Sequence, residues 1–316
     1  MILDDMKKEL QMAETIGILT HQNPDGDAIG SALALYMALK AQNKEVELII
    51  PEYAKVFDFL PSINESIREG KQNYDLAIAV DCATQARLAD PAKSFESAKK
   101  TIQIDHHVVN SMYADFNYVD PVAPACAQIL IKVLEYWNID ISREIGTCLL
   151  AGIITDTGGF QYEGVSCETF EIVARLLSKG INITNIYKRV FQTMSKTKFE
   201  ITKLAMNRIQ FYEEGKIAFT YILQEDEKSI GAGIGDWEGC VSIGREIEGV
   251  EVSIFIREVE NGFKASLRSN DYVNVSDICL MFGGGGHNKA AGCQISTGDL
   301  EQVRDRLISQ TKIYLK

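Results

Sequence analysis

Through its first 180 residues this chain alternates short β-type runs with helical stretches, and that alternation limits the fold more than any other feature. The runs Thr15–Thr20, Glu45–Ile50, Asp75–Val80 and Thr101–Ile104 read as strands, separated by helical stretches such as Ala28–Ala41 and Ala125–Trp137. Parallel strands need long crossovers, usually helical, so the pattern predicts a mainly parallel sheet covered by helices. Arg143–Thr155 and Cys167–Ser178 read as further helices, the second stopped by Gly180. From Phe211 the texture changes. Lys216–Leu223, Val250–Glu258 and Gly262–Ser269 have the period of two expected of strands, and Glu258–Gly262 has the polar character of a hairpin turn. A glycine run at Gly283–Gly286 and a final helix near Leu300–Ile313 follow. Ile183–Ile209, helical in period and rich in Lys and Arg, reads as a connecting helix or pair. The expected division is an α/β domain over 1–188, a helical linker over 189–212 and a smaller α+β domain over 213–316.

Composition limits the function classes. At 316 residues, 46% hydrophobic and 24% charged, the chain has the proportions of a soluble two-domain protein. Its longest apolar run, around Cys148–Ile154, falls far short of the ~18 residues a membrane span needs. Met1–Glu14 is acidic and amphipathic, unlike a signal peptide, so a cytoplasmic protein without membrane attachment is expected. Seven scattered cysteines with no C-x-x-C pair argue against a disulfide framework or a zinc knuckle. The net charge of −12 disfavours a partner such as long DNA or RNA, which needs a basic surface to displace counterions. It leaves room for a small phosphorylated substrate held by a few local cations.

The chain has four histidines, His21, His106, His107 and His287, all in turn-like segments. His21 follows the first strand in His21-Gln-Asn-Pro-Asp25-Gly-Asp27, just before a helix. As plain structure this is a turn whose Asp27 caps the helix, which accounts for one aspartate but not for Asp25 or His21. Asp81 ends the apolar run Leu76–Val80, and Asp105-His106-His107 ends Thr101–Ile104. Ligands bind at the carboxyl edge of an open parallel sheet, so these strand ends are expected to converge. Crowded carboxylates raise one another's pKa unless a cation neutralises them. The mixture of carboxylates and imidazoles suits Mn²⁺, with Fe²⁺ or Zn²⁺ as alternatives. The donors outnumber the needs of one ion, and two ions about 3.5–4 Å apart suit in-line displacement at phosphorus. Asp156, in Thr155-Asp156-Thr157-Gly158-Gly159, lies near a helix C-terminus where its charge opposes the macrodipole, which favours a ligand role.

Taken together, these segments resemble the DHH phosphoesterase superfamily, and within it the nanoRNase / pAp-phosphatase (NrnA-like) group, over nearly the whole chain. His21-x-Asn-Pro-Asp25-Gly-Asp27-Ala-Ile-Gly30-Ser31, Val80-Asp81, Asp105-His106-His107 and Thr155-Asp156-Thr157-Gly158 look like its four motifs. Ser266-Leu267-Arg268-Ser269 and Gly283-Gly284-Gly285-Gly286-His287-x-x-Ala290-Ala291-Gly292 resemble the DHH-associated substrate-binding domain. The resemblance implies an active site in the cleft between the two domains. It implies His21, Asp25 and Asp81 on one metal and Asp27, Asp81, His106 and Asp156 on the other, with Asp81 bridging. Asp105 then orients a neighbour, His107 faces the scissile phosphate, and a metal-bridging hydroxide attacks. Arg268, Ser269, Gly285, Gly286 and His287 become the substrate-binding residues, with Arg257 and Lys289 as weaker candidates. A helix-like Asn288–Ala291 behind the glycines would present N–H groups to an anion. Gly231-x-Gly233-x-Gly235 lacks the setting of a dinucleotide fingerprint and reads as a loop.

The implied activity is hydrolysis of very short oligoribonucleotides to mononucleotides and removal of the 3′-phosphate of pAp; a homodimer is implied only by analogy. A linear or cyclic dinucleotide phosphodiesterase is the alternative. A RecJ-like exonuclease fits the size and charge less well, a family II pyrophosphatase lacks its C-terminal motif here, and a regulator without turnover would have no use for a complete ligand set.

Overall fold

Leu76–Val80 is apolar and buried at every position, as a strand covered on both faces must be. It is the middle strand of a five-stranded parallel sheet made of β1 (Thr15–Leu19), β2 (Glu45–Ile49), β3 (Leu76–Val80), β4 (Lys100–Asp105) and β5 (Phe116–Val119), in the order β2-β1-β3-β4-β5. The registers Leu19↔Ala79 and Val80↔Ile104 bring the carboxyl ends of β1, β3 and β4 to one edge. The winding direction reverses between β1 and β3, which opens a crevice outside those ends. The computed structural model describes residues 2–89, 91–162, 164–233 and 235–316.

Among the described residues seven α-helices accompany this sheet: α1 (Ile2–Met12), α2 (Gly26–Lys40), α3 (Ala92–Glu96), α4 (Cys126–Tyr136), α5 (Arg143–Asp156), α6 (Cys167–Ser178) and α7 (Ile183–Phe191). From Gly26 to Tyr36 every residue of α2 is buried, so its sequence has no polar face. α2 and α5 cross closely because two glycines leave out side chains there. A Cβ on Gly30 would lie 2.4 Å from the Cys148 carbonyl oxygen, and one on Gly152 would lie 2.8 Å from Asp27 Oδ1. β5 was not anticipated. It is an edge strand of four half-buried residues, too short for its alternation to register.

The chain divides into two compact units between Thr193 and Met194. The second contains α8 (Lys196–Asn207), β6 (Gln210–Tyr212), β7 (Ile217–Ile222), α9 (Gln224–Ile230), α10 (Cys240–Arg245), β8 (Val252–Val259), β9 (Gly262–Ser269), α11 (Val275–Leu280), β10 (Gly285–His287), β11 (Ala290–Ile295) and α12 (Leu300–Lys312). Its sheet runs β10-β11-β9-β8-β7-β6, with β7 and β8 parallel and the other pairs antiparallel. Val252, Ile254 and Ile256 of β8 pack with Leu267, Ile278, Val303 and Leu307, while Phe255, on the opposite face, joins Ile201, Ala205, Cys240 and Val241. The segment 189–212 is therefore shared: Val190 of α7 packs in the first unit, and Ile201 and Ala205 of α8 cover the second sheet.

One sequence expectation about a glycine segment changes. Asn288–Ala291 is not helical: β10 and β11 form a hairpin with Asn288 and Lys289 at its turn. The small residues allow this tight pairing, since a Cβ on Gly284 would lie 2.2 Å from the Gly292 carbonyl oxygen. No helix start is available there for an anion. Gly231 and Gly233 follow α9 outside regular structure, and Ile234, between Gly233 and Gly235, lies outside the described residues. Among the described residues no helix is long and apolar enough to cross a membrane.

Candidate metal centre

The loop after β1 positions the first three donors. His21 is buried, and its Nδ1 lies 2.9 Å from the Gln22 carbonyl oxygen. A carbonyl can only accept, so Nδ1 carries the proton and Nε2 keeps its lone pair. Nε2 lies 4.0 Å from Asp25 Oδ2 and 3.9 Å from Asp81 Oδ2. Asp25 caps α2: its Oδ1 accepts the N–H groups of Asp27 and Ala28, each at 3.0 Å, leaving Oδ2 toward His21. The sequence reading gave that capping duty to Asp27.

Asp27 instead caps a different helix. Its Oδ2 accepts the N–H of Cys126 at 2.6 Å and its Oδ1 that of Ala127 at 2.9 Å, the first two residues of α4. The residue before that helix, Ala125, has no side chain able to cap it, so Asp27 answers an unmet need. The same carboxylate has Oδ2 4.0 Å from His106 Nε2.

Asp81 follows β3 in the left-handed region, at φ 52°, with its N–H donated to the Ile104 carbonyl. A non-glycine residue held there carries backbone strain, a condition concentrated at functional sites. Its Oδ1 lies 3.5 Å from His106 Nε2 and its Oδ2 faces His21, so one carboxylate spans both clusters. His106 Nδ1 lies 3.2 Å from the Ala123 carbonyl, which again frees Nε2, and that atom lies 3.3 Å from Asp156 Oδ2 at the end of α5. His107 behaves differently. Its Nδ1 is 2.8 Å from Asp105 Oδ1 and is occupied by that contact, although Asp81 Oδ1 lies within 3.7 Å. Asp105 Oδ2 in turn accepts the Asn110 amide, a partner the sequence reading missed; its only signal was a polar residue in the loop that carries the histidines.

The electrostatics are those of a cation site. Burial, followed by neighbouring carboxylates, drives Asp81 well above the usual carboxylate range, and burial also raises Asp27. Asp156 is pushed up to about 8, mainly by burial and then by Asp27. Burial lowers His21. It also works against a charged His106, but Asp27 and Asp156 outweigh it and hold that imidazole above its ordinary value. Burial would raise Asp105, yet the hydrogen bond and charge of His107 keep it low. His21 Nε2 and Asp81 Oδ1 are buried without a hydrogen-bond partner. Unpartnered buried lone pairs are costly, and metal coordination satisfies them. Donor atoms of His21, Asp25 and Asp81 lie within 4.8 Å of one another, as do those of Asp27, His106 and Asp156. The residues present fit divalent ions.

Comparison with known proteins agrees with this geometry. The DHH family N-terminal domain matches residues 15–153, and the DHHA1 domain matches residues 214–312. A Thermus thermophilus protein named bifunctional oligoribonuclease and PAP phosphatase NrnA is 32% identical, over 94% of this chain and 89% of its own length. This chain belongs to the DHH family. Within it the chain is NrnA-like, and Asp105-His106-His107 is the run that names the family. The solved structure of an exopolyphosphatase-related protein from Bacteroides fragilis superposes with a TM-score of 0.90 at 27% identity, covering 99% of this chain and 96% of that one. RecJ of Thermus thermophilus, solved with Mn²⁺, shares the fold at a TM-score of 0.59 and 13% identity, over all of this chain and 55% of its own.

The DHHA1 region carries the remaining candidates. Arg268, Ala290 and His287 form one cross-strand row over β9, β11 and β10, and directly paired residues share a sheet face. Gly285 pairs with Gly292 and Gly286 with Ala291. Ser269 is buried, and its hydroxyl donates to the Val273 carbonyl at 2.7 Å. Arg257 is engaged as well, pairing with Glu227 at 3.2 Å and stacking 3.8 Å above the Trp237 ring. Lys289 Nζ donates to the Asp271 carbonyl.

Proposed function

We propose that this chain is a metal-dependent phosphoesterase that degrades very short oligoribonucleotides to mononucleotides and removes the 3′-phosphate of pAp. The observation that carries the reading is the convergence of His21, Asp25, Asp27, Asp81, His106 and Asp156, with buried lone pairs on His21 and Asp81 left for a cation. The name of the Thermus relative supports the substrate class.

His21, Asp25 and Asp81 would hold one divalent ion, and Asp27, Asp81, His106 and Asp156 a second; mixed oxygen and imidazole donors suit Mn²⁺. Bound there, the ions supply Lewis acidity toward phosphoryl oxygens and a water acidic enough to act near neutral pH. The protein's share is positioning. The Gln22 and Ala123 carbonyls fix the tautomers of His21 and His106, so that both Nε2 atoms face the carboxylates. Asp105 holds His107 with its Nδ1 proton turned inward, leaving the far edge of the ring to face the scissile phosphate and protonate the leaving oxygen. Arg268 and His287, with the Gly285–Gly286 backbone, would hold the rest of a short substrate, with the guanidinium matched to a phosphate.

Product analysis tests this. With Mn²⁺, pAp should yield AMP and phosphate, and 5′-labelled RNA of graded length should be cleaved fast as a dinucleotide and progressively more slowly as it lengthens. Chelator should stop both reactions, and Asp81→Ala should abolish them without unfolding the chain. Equal rates on a two-mer and a long strand, or parental turnover by Asp81→Ala, would overturn the reading.

A further inference from the structure

We propose that Arg87 is a further catalytic residue, whose guanidinium grips the phosphate under attack from the His21 side of the centre. The inference rests on the phosphoesterase reading above and adds a residue that reading does not use.

Arg87 lies in the short 3₁₀ turn Gln85–Leu88, which follows Asp81 in the chain. Its backbone is fixed to the centre: the Arg87 carbonyl accepts the Gln22 N–H at 2.7 Å, and its own N–H donates to the Thr84 carbonyl at 3.0 Å. The side chain is exposed, and one terminal nitrogen lies 3.4 Å from His21 Nδ1. That contact does not use the guanidinium. His21 Nδ1 carries a proton for the Gln22 carbonyl, so it has no lone pair to offer Arg87. No carboxylate lies within ion-pair distance of Arg87 among the described residues. Asp25, on the same side, directs Oδ1 to the α2 N–H groups and Oδ2 toward His21.

A guanidinium beside a site built for cations repels them. Such a placement is intelligible when an anion arrives with the ions. A phosphate offers the planar, charge-assisted contact that Arg87 lacks, and Arg matches phosphate geometry in a way Lys does not. The partner is thus the phosphoryl group of the substrate, and its charge grows toward the transition state, where a fixed donor acts most strongly.

Two measurements on the full-length, Mn²⁺-loaded protein test this: steady-state hydrolysis of pAp and calorimetric binding of inorganic phosphate. Arg87→Ala should lower kcat/KM by about 100-fold and weaken phosphate binding about 10-fold. Arg87→Lys should recover part of each, and added guanidinium ion should restore part of the Arg87→Ala rate. Stabilisation of the variant by Mn²⁺ should match the parental protein, since Arg87 is not a ligand. Parental kinetics and phosphate binding in Arg87→Ala would overturn the proposal. So would a loss of Mn²⁺ stabilisation in step with activity, because Arg87 would then only support His21. If the parental protein leaves pAp and dinucleotides intact, the functional reading fails, and the phosphate-binding arm still decides whether Arg87 is an anion contact.

Discussion

The Asp27 carboxylate accepts the backbone N–H of Cys126 at 2.6 Å, although the two residues are 99 positions apart in the chain. With the Ala127 contact, this makes one side chain both the cap of α4 and a member of the candidate metal cluster. Asp81 has no such capping role; it ends a strand and carries an unpartnered buried oxygen.

The two aspartates should therefore fail in different ways. Asp27→Ala strands two buried N–H groups at a cost of about 1–3 kcal/mol each, so it should lose both activity and thermal stability. Asp81→Ala removes a carboxylate that the metal-free fold holds unfavourably, so it should lose activity while its Tm in chelator rises. Calorimetric melting of both variants in chelator, beside their hydrolysis rates, checks the contrast. Equal Tm changes would disprove the division of labour.

Mn²⁺ should stabilise the protein more as pH rises. Asp156 has its folded pKa raised to about 8 from an ordinary value of 3.8. Between those values the folded state keeps a proton that the unfolded state has released, so without metal this group's contribution to stability falls as pH climbs from about 4 to 8. An ion displaces that proton and binds better as pH increases. The Tm difference between Mn²⁺ and chelator should widen from pH 6 to pH 8, and a constant difference would contradict the assignment.

Gly30→Ala places a methyl group 2.4 Å from the Cys148 carbonyl oxygen, where backbone cannot step aside. Overpacking of this kind costs about 1–3 kcal/mol. It should also push α2, and Asp27 with it, away from α5, so activity should fall with stability. A fully active, equally stable variant would mean that the helix crossing is looser than the structure shows.

In the DHHA1 region, Ser269→Ala and Arg268→Lys should separate stability from binding. The serine variant loses one buried hydrogen bond, worth about 1 kcal/mol, with KM for pAp unchanged. The lysine variant should raise KM and leave the melting curve in place. A raised KM in Ser269→Ala would contradict this separation and keep that residue in the binding set.

Much of this was legible because strands buried on both faces leave an unmistakable apolar signature, and the residues that follow them had to be turn-forming or chemically active. His21, Asp81 and Asp105-His106-His107 stood out for that reason. Cys167–Ser178 and Gly262–Ser269 were legible to the residue, since Gly180 and a clean alternation bound them. β5 and the β10–β11 hairpin were not, because an edge strand of four residues and a run of Gly and Ala carry almost no periodicity. The capping of α4 by Asp27 could not be read locally at all: nothing near Cys126 announces a partner 99 positions away.

That dual duty narrows how such a centre can diverge. On the proposed ligand assignment, any substitution at position 27 that retunes ion choice also unseats a helix, so drift there meets two barriers at once. Among the described residues Asp156, at the end of α5, has no such capping contact, and on the proposed assignment it is a position through which a descendant chain could change its metal while keeping its architecture.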